Sequence, residues 1–269
     1  STSIGDKNHI GFPLNQSERD YISRHVKTLE RLRGGDTSLS SSPCKVGLLI
    51  ETLDVCGTVV FAFSGALKAG RKGMDIIGMM IIASITSMGG GTLRDILMVG
   101  HADEHVVFWM KTPLYLEISL ITALVTFYTW PMIEKKFGLV DSAIPICTAD
   151  ALGLAAFCIV GVEAAAKKGL APTLWIVSGL MTATFGGIIR DVICGEQPRV
   201  MYPHRTLYAL GPALGALTYT VLDNLVKTQR WSLNASSITL VSFLVAFMVR
   251  VLSFNKPWRM PHWDVNLDQ

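Results

Sequence analysis

The sequence predicts an all-α polytopic membrane protein with seven transmembrane helices, arranged as two inverted three-helix repeats plus a seventh helix. Three observations carry that prediction. The 269-residue chain is 50% hydrophobic and only 17% charged, with a mean hydropathy of +0.40, whereas about a quarter of the residues in a soluble domain are charged. Charge is absent from Ile76 to Leu93, Gly169 to Ile189 and Trp231 to Val249, runs of 18, 21 and 19 residues. At about 1.5 Å per residue each run is long enough to cross a hydrocarbon core. Finally, the chain repeats itself. Asp54, Gly57, Phe61, Gly65, Ala69, Gly73, Gly90, Gly91, Arg94 and Asp95 recur as Asp150, Gly153, Phe157, Gly161, Ala165, Gly169, Gly186, Gly187, Arg190 and Asp191, each displaced by 96 residues without a gap. So many coincidences in one register indicate an internal duplication.

The elements follow in order. Residues 1–42 are polar, with Gly34-Gly35, a Ser/Thr-rich stretch from Thr37 to Ser42 and an amphipathic candidate only at Ser17 to Arg33. This composition predicts a disordered tail, and it lacks the apolar region of a signal peptide. A first residue of Ser is expected where a chain was processed or starts internally. Helix 1 at 46–69 contains Glu51 and Asp54, and helix 4 at 143–166 contains Asp150 and Glu163. Both are assigned as spans because they are copies of one another and precede charge-free copies by the same distance. Those copies are helix 2 at 75–97 and helix 5 at 171–194. Helix 3 at 107–132 and helix 6 at 206–223 complete a first repeat over 46–133 and a second over 142–223. Helix 7 at 233–253 stands outside the repeats, bracing them or packing between subunits, and 254–269 is a polar tail.

Topology follows by arithmetic. Three helices separate the start of one copy from the start of the next, so the copies enter the membrane from opposite faces about a pseudo-two-fold axis in its plane. Basic residues near the membrane number ten on the side of the helix 1–2 loop and the C-terminus against six on the other, which places the C-terminus in the cytoplasm. The net charge of +3 reflects these clusters and points to no nucleic-acid partner. Five cysteines, none in a CxxC pair, read as small core residues. The histidines form no HExxH pattern, and no GxSxG, Walker or dinucleotide fingerprint occurs, so an enzyme, a cofactor and a metal centre are not expected.

Two glycine motifs carry the functional reading. Gly89-Gly90-Gly91 lies two-thirds along helix 2, and Gly186-Gly187 occupies the matching place in helix 5. Consecutive glycines free the backbone, so a kink or short unwound segment is expected at both. A break at membrane depth is tolerated only against protein or a water-filled cavity. The pore-lining or substrate-binding candidates are therefore these five glycines with Ser87 and Thr184. The plainer alternative is that the glycines allow close helix crossing. Arg94-Asp95 and Arg190-Asp191 follow the glycines; neighbours on a helix point about 100° apart, so each charge is expected to find its partner on another helix. Asp54 and Asp150 are intramembrane carboxylates and functional candidates by default, suited to attracting cations at a vestibule, accepting hydrogen bonds from the broken helices or pairing with Arg94 and Arg190.

At these residues the sequence resembles a known family. The pattern D-x-x-G-x-x-x-F-A-x-x-G-x-x-x-A at Asp54 to Ala69, G-G-G-x-x-R-D at Gly89 to Asp95, and their second copies are similar to the prokaryotic-type branch of the trimeric intracellular cation (TRIC) channels, a family that also carries a glycine-transporter description. The resemblance covers roughly residues 50 to 225. It implies a homotrimer among membrane lipids, some of them bound, with one pore per subunit lined by helices 2 and 5 and conducting K+ and Na+. Phe185 stands where the first copy has Gly89, so the triple glycine is complete once. Inverted repeats suit an alternating-access carrier of glycine or another small zwitterion equally, and a non-transporting membrane scaffold is the third reading.

Overall fold

A computed structural model describes residues 43–98, 106–138, 144–201, 208–228 and 233–255. The expected N-terminal tail, 1–42, and most of the expected C-terminal tail lie outside the described residues. Seven long helices follow: α1 (Pro43–Arg71), α2 (Ile76–Leu97), α3 (Leu114–Phe137), α4 (Ile144–Lys167), α5 (Pro172–Ile193), α6 (Leu210–Lys227) and α7 (Ala235–Asn255). All are α-helical, and six of them are long and apolar enough to cross a membrane; α6 is the exception, with Asp223, Asn224 and Lys227 in its last turns. The protein is an all-α polytopic membrane protein built by extensive helix–helix packing.

Several helix ends keep the 96-residue spacing of the duplicated motifs. Both ends of α2 reappear 96 residues on as the ends of α5, and Arg71 and Leu114 reappear as the end of α4 and the start of α6. The turns that stop α1 and α4 are also copies. Gly73 (φ 75°) and Gly169 (φ 70°) take the left-handed conformation that glycine tolerates without steric cost. Around them Met74 N–H donates to the Ala69 carbonyl and Leu170 N–H to the Ala165 carbonyl, both at 3.2 Å, which closes the helix ends in the six-to-one pattern of a glycine cap. Asp75 then caps α2 through Gly78 N–H at 2.8 Å.

Two boundaries depart from the sequence reading. The expected third span began at 107, but Phe108–Lys111 form a separate helical turn and α3 starts at Leu114. Pro113 explains the break, because proline lacks an N–H and disfavours helical backbone at the residue before it. The expected start of helix 6 at 206 lies outside the described residues, and α6 begins at Leu210.

α4 is the most enclosed of the spans and α3 among the least. Phe61 and Phe157, duplicate residues of α1 and α4, pack ring to ring at 5.0 Å with Leu154, Ile159, Val162 and Trp175 in the same core. Glycines set the spacing elsewhere. A Cβ on Gly65 would lie 2.5 Å from Thr86 Oγ1, and one on Gly161 2.5 Å from Thr182 Oγ1, so α1 sits on α2 and α4 on α5 at backbone distance. In lipid, where apolar burial gives helices little reason to associate, such close approach supplies the packing energy.

The expected interruption of helices 2 and 5 is corrected. α2 is continuous through Gly89–Gly91 and α5 through Gly186–Gly187. The reason lies across the interface. A Cβ on Gly90 would overlap the carbonyl of Thr182, and one on Gly186 the carbonyl of Thr86. Pairing 90 with 182 and 86 with 186 means that the two helices cross antiparallel. The glycines remove side chains so that two intact backbones can touch, which is the plainer of the two readings drawn from the sequence.

Candidate functional site

A cavity of about 220 Å³ lies beside this crossing, lined by Asp54 and residues of α2, α3, α4 and α5 together with the Phe108–Lys111 turn. Each polar lining group is fixed by its own element. The Ser87 hydroxyl is 2.7 Å from the Ser119 hydroxyl and donates to the Ala83 carbonyl at 2.9 Å. Thr182, on the opposite helix, donates back to the Ser178 carbonyl at 2.7 Å. Tyr115, in the first turn of α3, hydrogen-bonds Asp54 through its hydroxyl, with Arg94 nearby. Carboxylate, hydroxyls and the Gly91 backbone thus share one space with two cations, Arg94 and Lys111.

The arginine–aspartate motifs do not behave as expected. Arg94 Nε donates to its own neighbour Asp95 at 2.9 Å, and Arg190 Nε to Asp191 at 2.8 Å. The long arginine side chain folds back along the helix end and reaches a carboxylate that the helical angle alone puts out of range. Each aspartate spends its second oxygen on the loop that follows, Asp95 accepting from Phe108 N–H at 3.0 Å and Asp191 from Arg199 N–H at 3.3 Å. The first of these pins the Phe108–Lys111 turn over α2, where Trp109 also donates to Thr92 at 3.0 Å. Phe108 then covers Gly91, much as Tyr208 covers Gly187.

Of the candidates read from the sequence, Asp54, Ser87, Gly91 and Arg94 line the cavity. Gly89, Gly90, Gly186 and Gly187 lie in or beside the helix seam, and Thr184 is buried with its hydroxyl on the Leu180 carbonyl at 2.8 Å. Asp150 is enclosed elsewhere, 3.4 Å from Arg250 and 3.5 Å from Arg199 rather than paired with Arg190. Arg190 instead donates to Ser64 of α1 at 2.7 Å. Tyr115, Tyr208 and the role of Arg250 escaped the sequence reading, which has Thr182 only as one of the polar residues around the glycine motifs. Thr182 is the duplicate of Thr86, 96 residues on.

A further cluster joins the two halves at the other end of α1. Lys68 forms an ion pair with Glu196, in the loop after α5, and Lys72 lies 3.0 Å from the same carboxylate. Partial burial pushes the Glu196 carboxyl up, but the two ammonium groups outweigh it and hold it below the ordinary carboxylate range.

A bundle of long apolar helices with a duplicated sequence, two antiparallel helices in backbone contact and a polar cavity beside them defines a class, the polytopic membrane proteins built from internal repeats. The particular family is shown by comparison: the chain matches the model described as "Glycine transporter" over residues 51–131 and 147–224 and belongs to that family. It is 31% identical to the UPF0126 membrane protein YvgT of Bacillus subtilis, over 81% of this chain and 98% of that one. Against the UPF0126 inner membrane protein YadS of Escherichia coli it is 29% identical, over 80% and 96% of the two chains. Among solved structures it matches the TRIC trimeric intracellular cation channel orthologue from Rhodobacter sphaeroides at TM-score 0.66 and 31% identity, covering 77% of this chain and 97% of that one. A second TRIC cation channel structure matches at TM-score 0.68 and 28% identity, with 80% and 98% coverage. Membership in this family places the chain outside the enzymes.

Proposed function

We propose that the chain is a monovalent cation channel conducting K+ and Na+, with one pore in each subunit of a homotrimer. The observation that carries this reading is the cavity beside the α2–α5 crossing, where Asp54 meets the hydroxyls of Ser87, Tyr115 and Thr182. A carboxylate with several neutral oxygens attracts a cation and replaces part of its water without the full cage that strict K+ selection needs. Arg94 and Lys111 on the same wall disfavour divalent occupancy. Support comes from the solved relatives, which are cation channels. We assign the seven helices to two inverted three-helix repeats, α1–α3 and α4–α6, plus α7, with the C-terminus cytoplasmic and lipid around the trimer. The pore runs along intact α2 and α5 helices.

Purified protein in planar bilayers tests the channel reading. Reversal potentials under K+/Cl− and K+/Na+ gradients should show strong preference for cations over anions and a K+/Na+ ratio near one. No macroscopic current from assembled protein overturns it.

One observation favours a second reading. Asp54 and Arg94 line the same small cavity, so an ammonium and a carboxylate of one small zwitterion have complementary partners there, and the family carries the description "Glycine transporter". Saturable glycine uptake into proteoliposomes without matching conductance would select this carrier.

A further inference from the structure

The two halves of the duplication part company at one pair of carboxylates. Asp54 lines the open cavity. Asp150, its duplicate, is 2% exposed, and both of its cationic neighbours approach the same oxygen: Arg250 Nη2 at 3.4 Å and Arg199 Nη1 at 3.5 Å from Oδ2. Its other oxygen, Oδ1, is buried and has no hydrogen-bond partner among the described residues. Arg250 is 1% exposed and lies 4.7 Å from the centre of the Tyr208 ring, the ring whose hydroxyl covers Gly187. A carboxylate, an aromatic lid and a glycine on α5 therefore reproduce the Asp54, Phe108 and Gly91 arrangement of the first half. In the second half the side chain of Arg250 lies against both the carboxylate and the ring.

Arg250 comes from α7, the helix outside the duplication, so the first half has no duplicate of it in the sequence. The pair is also loose. Charge-assisted N–H···O bonds are normally about 2.7–2.9 Å long, a distance that Arg190 and Asp191 achieve at 2.7 Å. A contact of 3.4 Å to one oxygen neutralises Asp150 without saturating it. Without Arg250 the carboxylate would keep only the 3.5 Å contact of the partly exposed Arg199; under-compensated charge in this dry place is costly, so a second cation belongs beside it, and the geometry does not demand that this cation be a guanidinium.

We propose that Asp150 is a second monovalent-cation site, the counterpart of Asp54, and that Arg250 fills it as a tethered cation while that face of the protein is shut. A permeant K+ or Na+ takes the place of the guanidinium when the face opens, and Tyr208 moves with the arginine that stacks on it. The inference rests on the proposed cation pathway through the Asp54 cavity and extends it to the opposite face.

Thermal melting of the purified full chain tests this. Arg250→Gln should melt several degrees below wild type in N-methyl-D-glucamine chloride and recover most of that loss in KCl or NaCl of equal ionic strength. Wild type should melt alike in all three salts. Arg250→Lys, which keeps a tethered charge, should restore the flat profile, and the double variant Asp150→Asn/Arg250→Gln should lose the K+ and Na+ dependence. An Arg250→Gln chain that responds equally to N-methyl-D-glucamine and K+, or that fails to fold even with K+ or Na+ present, overturns the proposal, as does a double variant that keeps the dependence. The melts need no current, so a wild-type chain that conducts nothing overturns the channel reading, while the salt dependence of the melts alone decides the role of Asp150.

Discussion

Gly90 and Thr182 touch across the α2–α5 crossing, with no room for a Cβ between the glycine and the threonine carbonyl, and Gly186 meets the Thr86 carbonyl in the same way. The obstacle is backbone on the opposite helix, which no rotamer change can move. Gly89 differs, since a Cβ there would meet the flexible end of Ile189 at 3.4 Å. Alanine at Gly90 or Gly186 should therefore destabilise the protein by about 1–3 kcal/mol through overpacking, while Gly89→Ala should cost little. Thermal melting of the three variants decides. Equal losses at Gly89 and Gly90 would show that backbone freedom, not contact, is what the motif supplies.

This contrast also marks the reach of the sequence. Hydrophobic length and the 96-residue displacement together predict seven long helices, of which six are apolar enough to span, and the ends of α2 and α5 fall within a residue of their expected positions. Hydrophobic length and duplication are properties of the chain itself, so they can be read along it. What lies opposite a glycine is not such a property. Consecutive glycines suit an unwound backbone and a tight crossing equally, and only the position of Thr182 and Thr86 separates the two. Asp150 shows the same limit. Its charge inside a span marks it as a site, but its partner Arg250 stands 100 residues away at the end of an unrelated helix.

The two Arg–Asp motifs should differ in what their loss costs. Arg190 and Asp191 have side-chain exposures of 1% and 2%, against 7% and 15% for Arg94 and Asp95. Removing one partner of a buried pair strands a charge and typically costs about 3–5 kcal/mol. Asp191→Asn should approach that range and Asp95→Asn should fall short of it, because solvent reaches the Arg94–Asp95 pair. Denaturation of both variants in detergent gives the order, and a larger loss at Asp95 would contradict it.

Glu196 should make the contact between the halves acid-sensitive. Its carboxyl is held below the ordinary value by Lys68 and Lys72 against the opposing effect of burial. A depressed folded value means that the stabilisation is complete above the unfolded value, about 4.3 for a glutamate, and is lost as pH falls through the lower folded value. Melting temperature should drop over that acid window in wild type and less steeply in Glu196→Gln. Parallel profiles would show that Glu196 contributes nothing to the acid transition.

Asp54 should govern which ions enter. It lines the cavity with Tyr115 beside it, and it is only partly buried, so Asp54→Asn removes a charge while keeping the shape and an acceptor for the Tyr115 hydroxyl. Stability should change little, because no buried arginine is stranded as it would be at Asp191. Arg94 and Lys111 would then be the charged groups left on the cavity wall, turning it from mixed to cationic, and like charge in a narrow, weakly solvated passage repels a permeant cation strongly. Conductance for K+ should fall several-fold, and the reversal potential in a KCl gradient should move toward the Cl− value. Tyr115→Phe provides the comparison: it removes a hydroxyl and leaves the charge, so cation preference should survive with a reduced current. Unchanged selectivity in Asp54→Asn at wild-type melting temperature would place the cation pathway away from this cavity.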